Sequence, residues 1–124
     1  MKCHHAAVVA ASEANADRFY QGVLRLKKLK ISFLTRDLAK SLFDMDLECP
    51  FILYGNAHMA IEVFITEQFQ ANLIPLQHIC LKVEDKETFL ETCEAQGVTV
   101  TRVPKGDSEV TFIQDYDGNR FEIK

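Results

Sequence analysis

Apolar and polar positions alternate along the chain in two rhythms, one of period two and one of helical spacing. Residues 3–11, around "HHAAVVAA", are small and β-branched with no breaker and read as a strand. Ser12 can cap a helix. In the stretch after it, 13–28, Ala16, Phe19, Tyr20, Val23 and Leu24 fall at helical spacing, with Gly22 placed to end the helix early. Period two returns over 29–34. Thr35 can cap a short helix over 36–43. Two apolar strands at 51–54 and 58–65 flank a turn at Gly55-Asn56, and 66–75 is a connector.

The plan then recurs. Residues 76–83 read as a strand and 85–96 as a helix with Gly97 at its C′ position. Strands follow at 98–104, 108–115 and 119–124, the last two joined through Asp117-Gly118. Each half reads β-α-β-β-β, with an extra short helix inside the first. The pattern predicts an α+β fold: one domain over 1–124, built from tandem βαβββ modules at 1–70 and 71–124. Neither half can bury both faces of its strands alone. The two are expected to pair into one curved mixed sheet or to exchange across a dimer.

Alternation along each strand sorts the side chains into faces. His5, Ala7 and Val9 share one face of the first strand, and His4, Ala6 and Val8 the other. His58, Ala60, Glu62 and Phe64 share a face, as do His78, Cys80 and Lys82, and Arg120, Glu122 and Lys124. The strand that opens each half thus carries a histidine near its start. A later strand carries a glutamate inside an apolar run, "AIEVF" and "RFEIK". An unpaired buried carboxylate costs several kcal/mol, so such a residue calls for a partner or an ion. Glu62 and Glu122 facing solvent on an open sheet is the alternative. Two imidazoles and two carboxylates suit a divalent transition metal, and an octahedral ion would keep two positions for water or substrate.

Composition narrows the classes. The 124 residues are 48% hydrophobic, enough for a core without staples. Net charge is −4, and the densest basic run, "RLKKLK" at 25–30, suits a solvated helix end; no nucleic-acid partner is expected. No apolar run reaches the ~18 residues of a membrane helix, and the first residues lack the length and flanks of a signal peptide. The expectation is a soluble cytoplasmic protein with no membrane partner. Cys3, Cys49, Cys80 and Cys93 form no CxxC pair and are expected as small buried or half-buried thiols.

Taken together, the tandem β-α-β-β-β plan, "HHAAVVA…FY" early, "QHICLKVED" in the middle and "QDYDGNRFEIK" at the end resemble the vicinal oxygen chelate superfamily. That group holds glyoxalase I, bleomycin and fosfomycin resistance proteins, extradiol dioxygenases and methylmalonyl-CoA epimerase. The resemblance covers essentially the whole chain and implies a glyoxalase-like fold. It places metal ligands at His5, Glu62, His78 and Glu122, with His4 pointing the other way. The His/Glu/His/Glu set looks most like glyoxalase I; epimerases usually carry Gln where Glu62 stands. The implied chemistry is a metal-dependent lyase or isomerase working through a metal-bound enediolate, with Glu62 or Glu122 as base. The implied partners are a small oxygenated substrate, a divalent ion (Ni, Zn, Mn, Co or Fe) and a second copy in a homodimer.

The chain also departs from glyoxalase I. Val9 stands where an arginine often holds glutathione. Residues 35–50 look like a helix over the site mouth, with Leu38, Leu42 and Phe43 on one face, either as packing or as a lid. Lys82 reads as a contact to an anionic group or a solvated strand end. His58 reads as substrate-facing or as a turn residue. A drug-binding protein without turnover and a non-haem iron oxygenase remain as alternatives.

Overall fold

The computed structural model describes residues 1, 3–69 and 76–124. The connector expected at 66–75 falls largely outside them. The chain divides into two compact units, Met1–Gln70 and Ala71–Lys124.

In the first unit, β1 (Ala6–Ala10) is followed by α1 (Glu13–Ala16), β2 (Lys27–Leu34), α2 (Arg36–Phe43), β3 (Cys49–Gly55) and β4 (Ala60–Ile65). The sheet order is β1-β4-β3-β2, with β1 parallel to β4 and the other neighbours antiparallel. Ser12 caps α1 by accepting from the Asn15 N–H at 3.1 Å. The long helix expected over 13–28 instead widens into a π-helical segment, Asp17–Val23. It closes with the Leu24 N–H donating to the Phe19 carbonyl, five residues back. Ala16, Phe19, Tyr20 and Val23 stay on its buried side, over Ile52, Tyr54, Ile61 and Val63 of the sheet. This is the core face, and Tyr20 stacks on Tyr54 at 5.2 Å between ring centroids.

The second unit repeats the topology. It runs β5 (Ile79–Leu81), α3 (Lys86–Ala95), β6 (Thr99–Lys105), β7 (Ser108–Gln114) and β8 (Arg120–Ile123), in the sheet order β5-β8-β7-β6. β5 lies parallel to β8. Leu90 and Cys93 of α3 pack on the side of the sheet that carries Thr111, Ile113, Phe121 and Ile123, all buried. Gly97 follows α3 at φ 73°, the left-handed C′ geometry its position predicts. β5 is shorter than the strand expected over 76–83, because the chain around Leu76–His78 turns to bond itself.

Both units are therefore the same β-α-β-β-β motif, and the first carries α2 as its insertion. Each has one sheet face covered by a helix and one face opposite it. The cysteines follow burial only in part. Cys49 and Cys93 are buried, as expected, and burial pushes the Cys93 thiol up to about 11. Cys3 and Cys80 are exposed, against expectation, because one precedes β1 and the other lies on the uncovered face of β5.

Candidate metal centre

The face opposite the helix is where each unit places its histidine and glutamate. In the first unit, Glu62 on β4 is the register partner of Ala7 on β1, and His5 lies two residues before Ala7. In the second, Glu122 on β8 is the partner of Cys80 on β5, and His78 lies two residues before Cys80. The offset is identical, so the two pairs occupy equivalent places in the repeat.

The distances agree. His5 Nε2 is 3.7 Å from a Glu62 carboxylate oxygen, and His78 Nε2 is 3.7 Å from one of Glu122. Side-chain exposure matches as well: 38% and 19% for the first pair, 37% and 18% for the second. In both, a half-open imidazole leans over a mostly buried carboxylate. A separation of 3.7 Å is too long for a hydrogen bond. It leaves room for an ion with ligand bonds of about 2.1 Å to each donor.

Second contacts orient the rings. His78 Nδ1 lies 2.9 Å from the Leu76 carbonyl oxygen, which can only accept. Nδ1 therefore carries the proton, and the Nε2 lone pair faces Glu122. This is the tautomer a metal-ligating histidine needs, held by the kind of outer contact such ligands make. The His78 ring also meets Phe112 edge to face at 5.1 Å.

His5 is held differently. Its Nδ1 is 3.1 Å from Nδ1 of His4, and the rings stand edge to face. His4 was expected on the opposite face, by strand alternation. It stands two residues before β1, and its ring lies against that of His5 instead. When His5 donates in this contact, its Nε2 is open toward Glu62.

The surroundings of the two carboxylates differ. Glu62 sits between Leu53, its β3 partner, and Phe64 two positions along β4. Phe64 packs against Phe51 at 5.3 Å and Phe43 of α2 at 6.2 Å. Leu34, Ala39, Leu47 and Cys49 form the cluster beneath α2, and Phe51 and Phe64 pack against it. So α2 does dock on the Glu62 face, near the Phe64 end, with Leu38, Leu42 and Phe43 left largely exposed. Around Glu122 the neighbour is a cation, with Lys124 Nζ 3.3 Å from a carboxylate oxygen. His58 is a turn residue, its N–H donating to Asn56 Oδ1 at 2.8 Å.

The "DYDGN" stretch fixes the phase of Glu122. Asp115, buried, accepts from the backbone N–H of Asp117 at 3.0 Å and of Asn119 at 2.8 Å, and from the Asn119 side chain at 2.7 Å. Gly118 takes φ 92°, open to glycine at little cost. The turn sets Gln114 opposite Arg120 and Phe112 opposite Glu122, which puts Glu122 on the His78 face.

Within each unit the pair is all there is: among the described residues, no three His, Cys, Asp or Glu side chains gather as a ready metal cage. Sequence reasoning found both pairs. It missed the Leu76 carbonyl, the His4 contact and Phe112; it put Lys124 on the Glu122 face without the ion pair. Of these, Phe112 was within reach of strand register.

A tandem β-α-β-β-β fold with matched His/Glu pairs defines a class of protein, and the comparisons agree with it. The chain belongs to the Glyoxalase/Bleomycin resistance protein/Dioxygenase superfamily, whose family model matches residues 2–123. Among solved structures it is similar to a glyoxalase family protein from Enterococcus faecalis, with 21% identity and a TM-score of 0.76, over 98% of this chain and 95% of that one. It is also similar to the fosfomycin resistance protein FosX from Listeria monocytogenes, with 14% identity and a TM-score of 0.72, over 99% of this chain and 91% of that one. A variant of the Listeria FosX was solved with Mn(II) and 1S,2S-dihydroxypropylphosphonic acid; it is 15% identical, with a TM-score of 0.69, over 98% of this chain and 87% of that one. No curated protein sequence matches. No helix among the described residues is long and apolar enough to cross a membrane.

Proposed function

We propose that this chain is a divalent-metal-dependent lyase or isomerase of the glyoxalase type, acting on a small substrate with oxygens on adjacent carbons. The observation that carries the reading is the doubled His/Glu pair, at the same register and the same 3.7 Å separation in both units. His5, Glu62, His78 and Glu122 would hold the ion, each unit giving one imidazole and one carboxylate. The two units would come from one chain or from two copies in a homodimer. The donors fit a borderline transition ion such as Ni, Zn, Mn, Co or Fe, since imidazole and carboxylate both suit that group. When bound, the ion would supply Lewis acidity, which stabilises negative charge developing on substrate oxygen.

The chain's own residues supply the rest. His78 presents Nε2 because the Leu76 carbonyl keeps the proton on Nδ1. A proton must leave one substrate carbon and return to its neighbour, and a carboxylate on this face can carry it. Glu62, beside Leu53 and Phe64, and Glu122, bonded to Lys124, are the two candidates. The apolar side chains around Glu62 would keep water from the carbon centre. Binding of a vicinally oxygenated ligand with Mn(II) by a FosX variant supports the substrate class.

The test is metal content by elemental mass spectrometry on untagged protein prepared without chelators, beside Glu62→Gln and Glu122→Ala. The expected result is about one ion per site in the parent protein, weakened in the first variant and lost in the second. Hemithioacetal isomerisation, assayed on the same samples, should follow the metal. Metal content and activity unchanged in Glu62→Gln would overturn the four-ligand centre.

A further inference from the structure

The two units match up to the row of Glu62 and Glu122 and diverge one row beyond. In the first unit, Val9 on β1 is the register partner of Phe64 on β4. In the second, the backbone continues the β5–β8 ladder past its last paired residue. The Lys124 N–H donates to the Leu81 carbonyl at 2.9 Å, and the Val83 N–H donates to the Lys124 carbonyl at 2.8 Å. Those two bonds bracket Lys82 and set it directly beside Lys124. Neighbouring strands lie about 4.8 Å apart, so the two ammonium stems rise side by side. By alternation both share the face of His78 and Glu122. Where the first unit has an apolar row, the second has two cations.

Adjacent like charges on a sheet are unfavourable unless something offsets them. Glu122 offsets Lys124, at 3.3 Å. It cannot serve both lysines, and Lys82 is exposed with no ion-pair partner among the described residues. Arg120 adds a third cation to the same face, opposite Gln114. The first unit's face carries two lysines, Lys27 and Lys30, both on the edge strand β2, as register partners of Gly55 and Leu53. Two cations side by side on neighbouring strands occur one row beyond Glu122, at Lys82 and Lys124, while Arg120 lies one row before it.

We propose that Lys82 and Lys124 form an anion subsite, a specificity determinant that takes the carboxylate, phosphonate or phosphate group of the substrate. This rests on the reading of the His78/Glu122 face as part of the metal centre. Lys124 is bonded to one Glu122 oxygen while the other faces His78, so an anion held by the two lysines would lie next to the atoms that meet the substrate oxygens. The chemistry selected is a small oxygenated acid, with its charged group over Lys82 and Lys124.

The test uses inorganic phosphate and full-length protein stripped of metal, by calorimetric titration and by amide NMR. Lys82→Gln and Lys124→Gln are each expected to weaken phosphate binding about tenfold, as for loss of one charge-assisted contact, and the double variant to abolish it. Lys86→Gln, on α3, is expected to leave binding unchanged. Amide shifts should centre on Leu81, Lys82, Val83 and Lys124. Failure of the parent protein to bind phosphate, or equal affinity in the double variant, would overturn the subsite. Metal uptake measured on the same preparations separates the two ideas. A parent protein that binds phosphate through these lysines but takes up no ion sinks the metal centre and leaves the subsite standing.

Discussion

Asp17 holds together the buried side of the first unit. Its carboxylate accepts from the Tyr54 hydroxyl at 2.8 Å, from Lys28 at 2.9 Å and from Gln21 at 3.0 Å. Desolvation by burial pushes the Asp17 carboxyl up, but Lys28 and Tyr54 together outweigh it and hold the group below its ordinary value near 3.8. Burial and the same carboxylate push the Tyr54 hydroxyl well up. A depressed folded-state value means the stabilisation is fully present above pH 3.8 and is lost as pH falls through the lower, folded value. Asp17→Asn should therefore cost about 1–2 kcal/mol at neutral pH. In urea melts the gap between variant and parent should hold from pH 7 to about 5 and close below about 4. A gap that does not narrow at all as pH falls below 3.8 would mean the carboxylate's charge is not what Lys28 and Tyr54 stabilise. Asp17 was invisible as a hub in the sequence, since its partners lie far along the chain. Glu62 and Glu122 were legible, because a polar residue at a fixed phase in an apolar strand announces its face; His5 and His78, one residue before β1 and β5, were placed by extending that alternation and by the family resemblance. The place of His4 was not legible, since two residues before β1 its ring turns against His5.

The elements that steer the site are the short ones. The turn after β7 is organised by Asp115, whose loss leaves one buried and one part-buried backbone N–H group without this acceptor. Asp115→Ala should cost about 3 kcal/mol. It should also reduce metal uptake, since the turn sets the register that faces Glu122 toward His78; elemental analysis beside a thermal melt checks both. Helix α2 carries the second prediction. Ala39 is fully buried against Leu34, Leu47 and Cys49 on the Glu62 face. Leucine at Ala39 overfills that contact, at a cost of about 1–3 kcal/mol, and should lift α2 off the sheet. Turnover of the bulkier substrates should then change while metal content stays at the parent level. If the stability is unchanged, α2 does not pack as described. The helix itself was legible from the Thr35 cap and its apolar spacing, and Thr35 does accept from the Leu38 N–H at 3.4 Å. That Ala39 would be the buried contact, with Leu38, Leu42 and Phe43 left largely exposed, was not legible, because that depends on the packing under the helix. The π-helical turn was hidden too, since Ala16, Phe19, Tyr20 and Val23 suit an α-helix equally well.

At the scale of the whole molecule, the proposed centre calls on both His/Glu pairs. A single His/Glu pair offers two donors, too few to hold a transition ion against water, and neither unit gathers a third among the described residues. If the ion needs both pairs, losing either one should lose nearly all the affinity. His5→Ala and His78→Ala should then have similar effects, and the double variant should add little to either. Binding only to the folded protein must also raise stability, by about 2.7 kcal/mol at a hundredfold excess over Kd. The parent protein should therefore melt at a higher temperature with added Ni, Zn or Mn, and each single histidine variant should lose that shift. The pattern across variants carries the information. Loss in His78→Ala but not in His5→Ala would place the ion on the second unit alone, beside Lys82 and Lys124. The first unit's pair, with the apolar row of Val9 and Phe64 beside it, would then take no part in holding the ion.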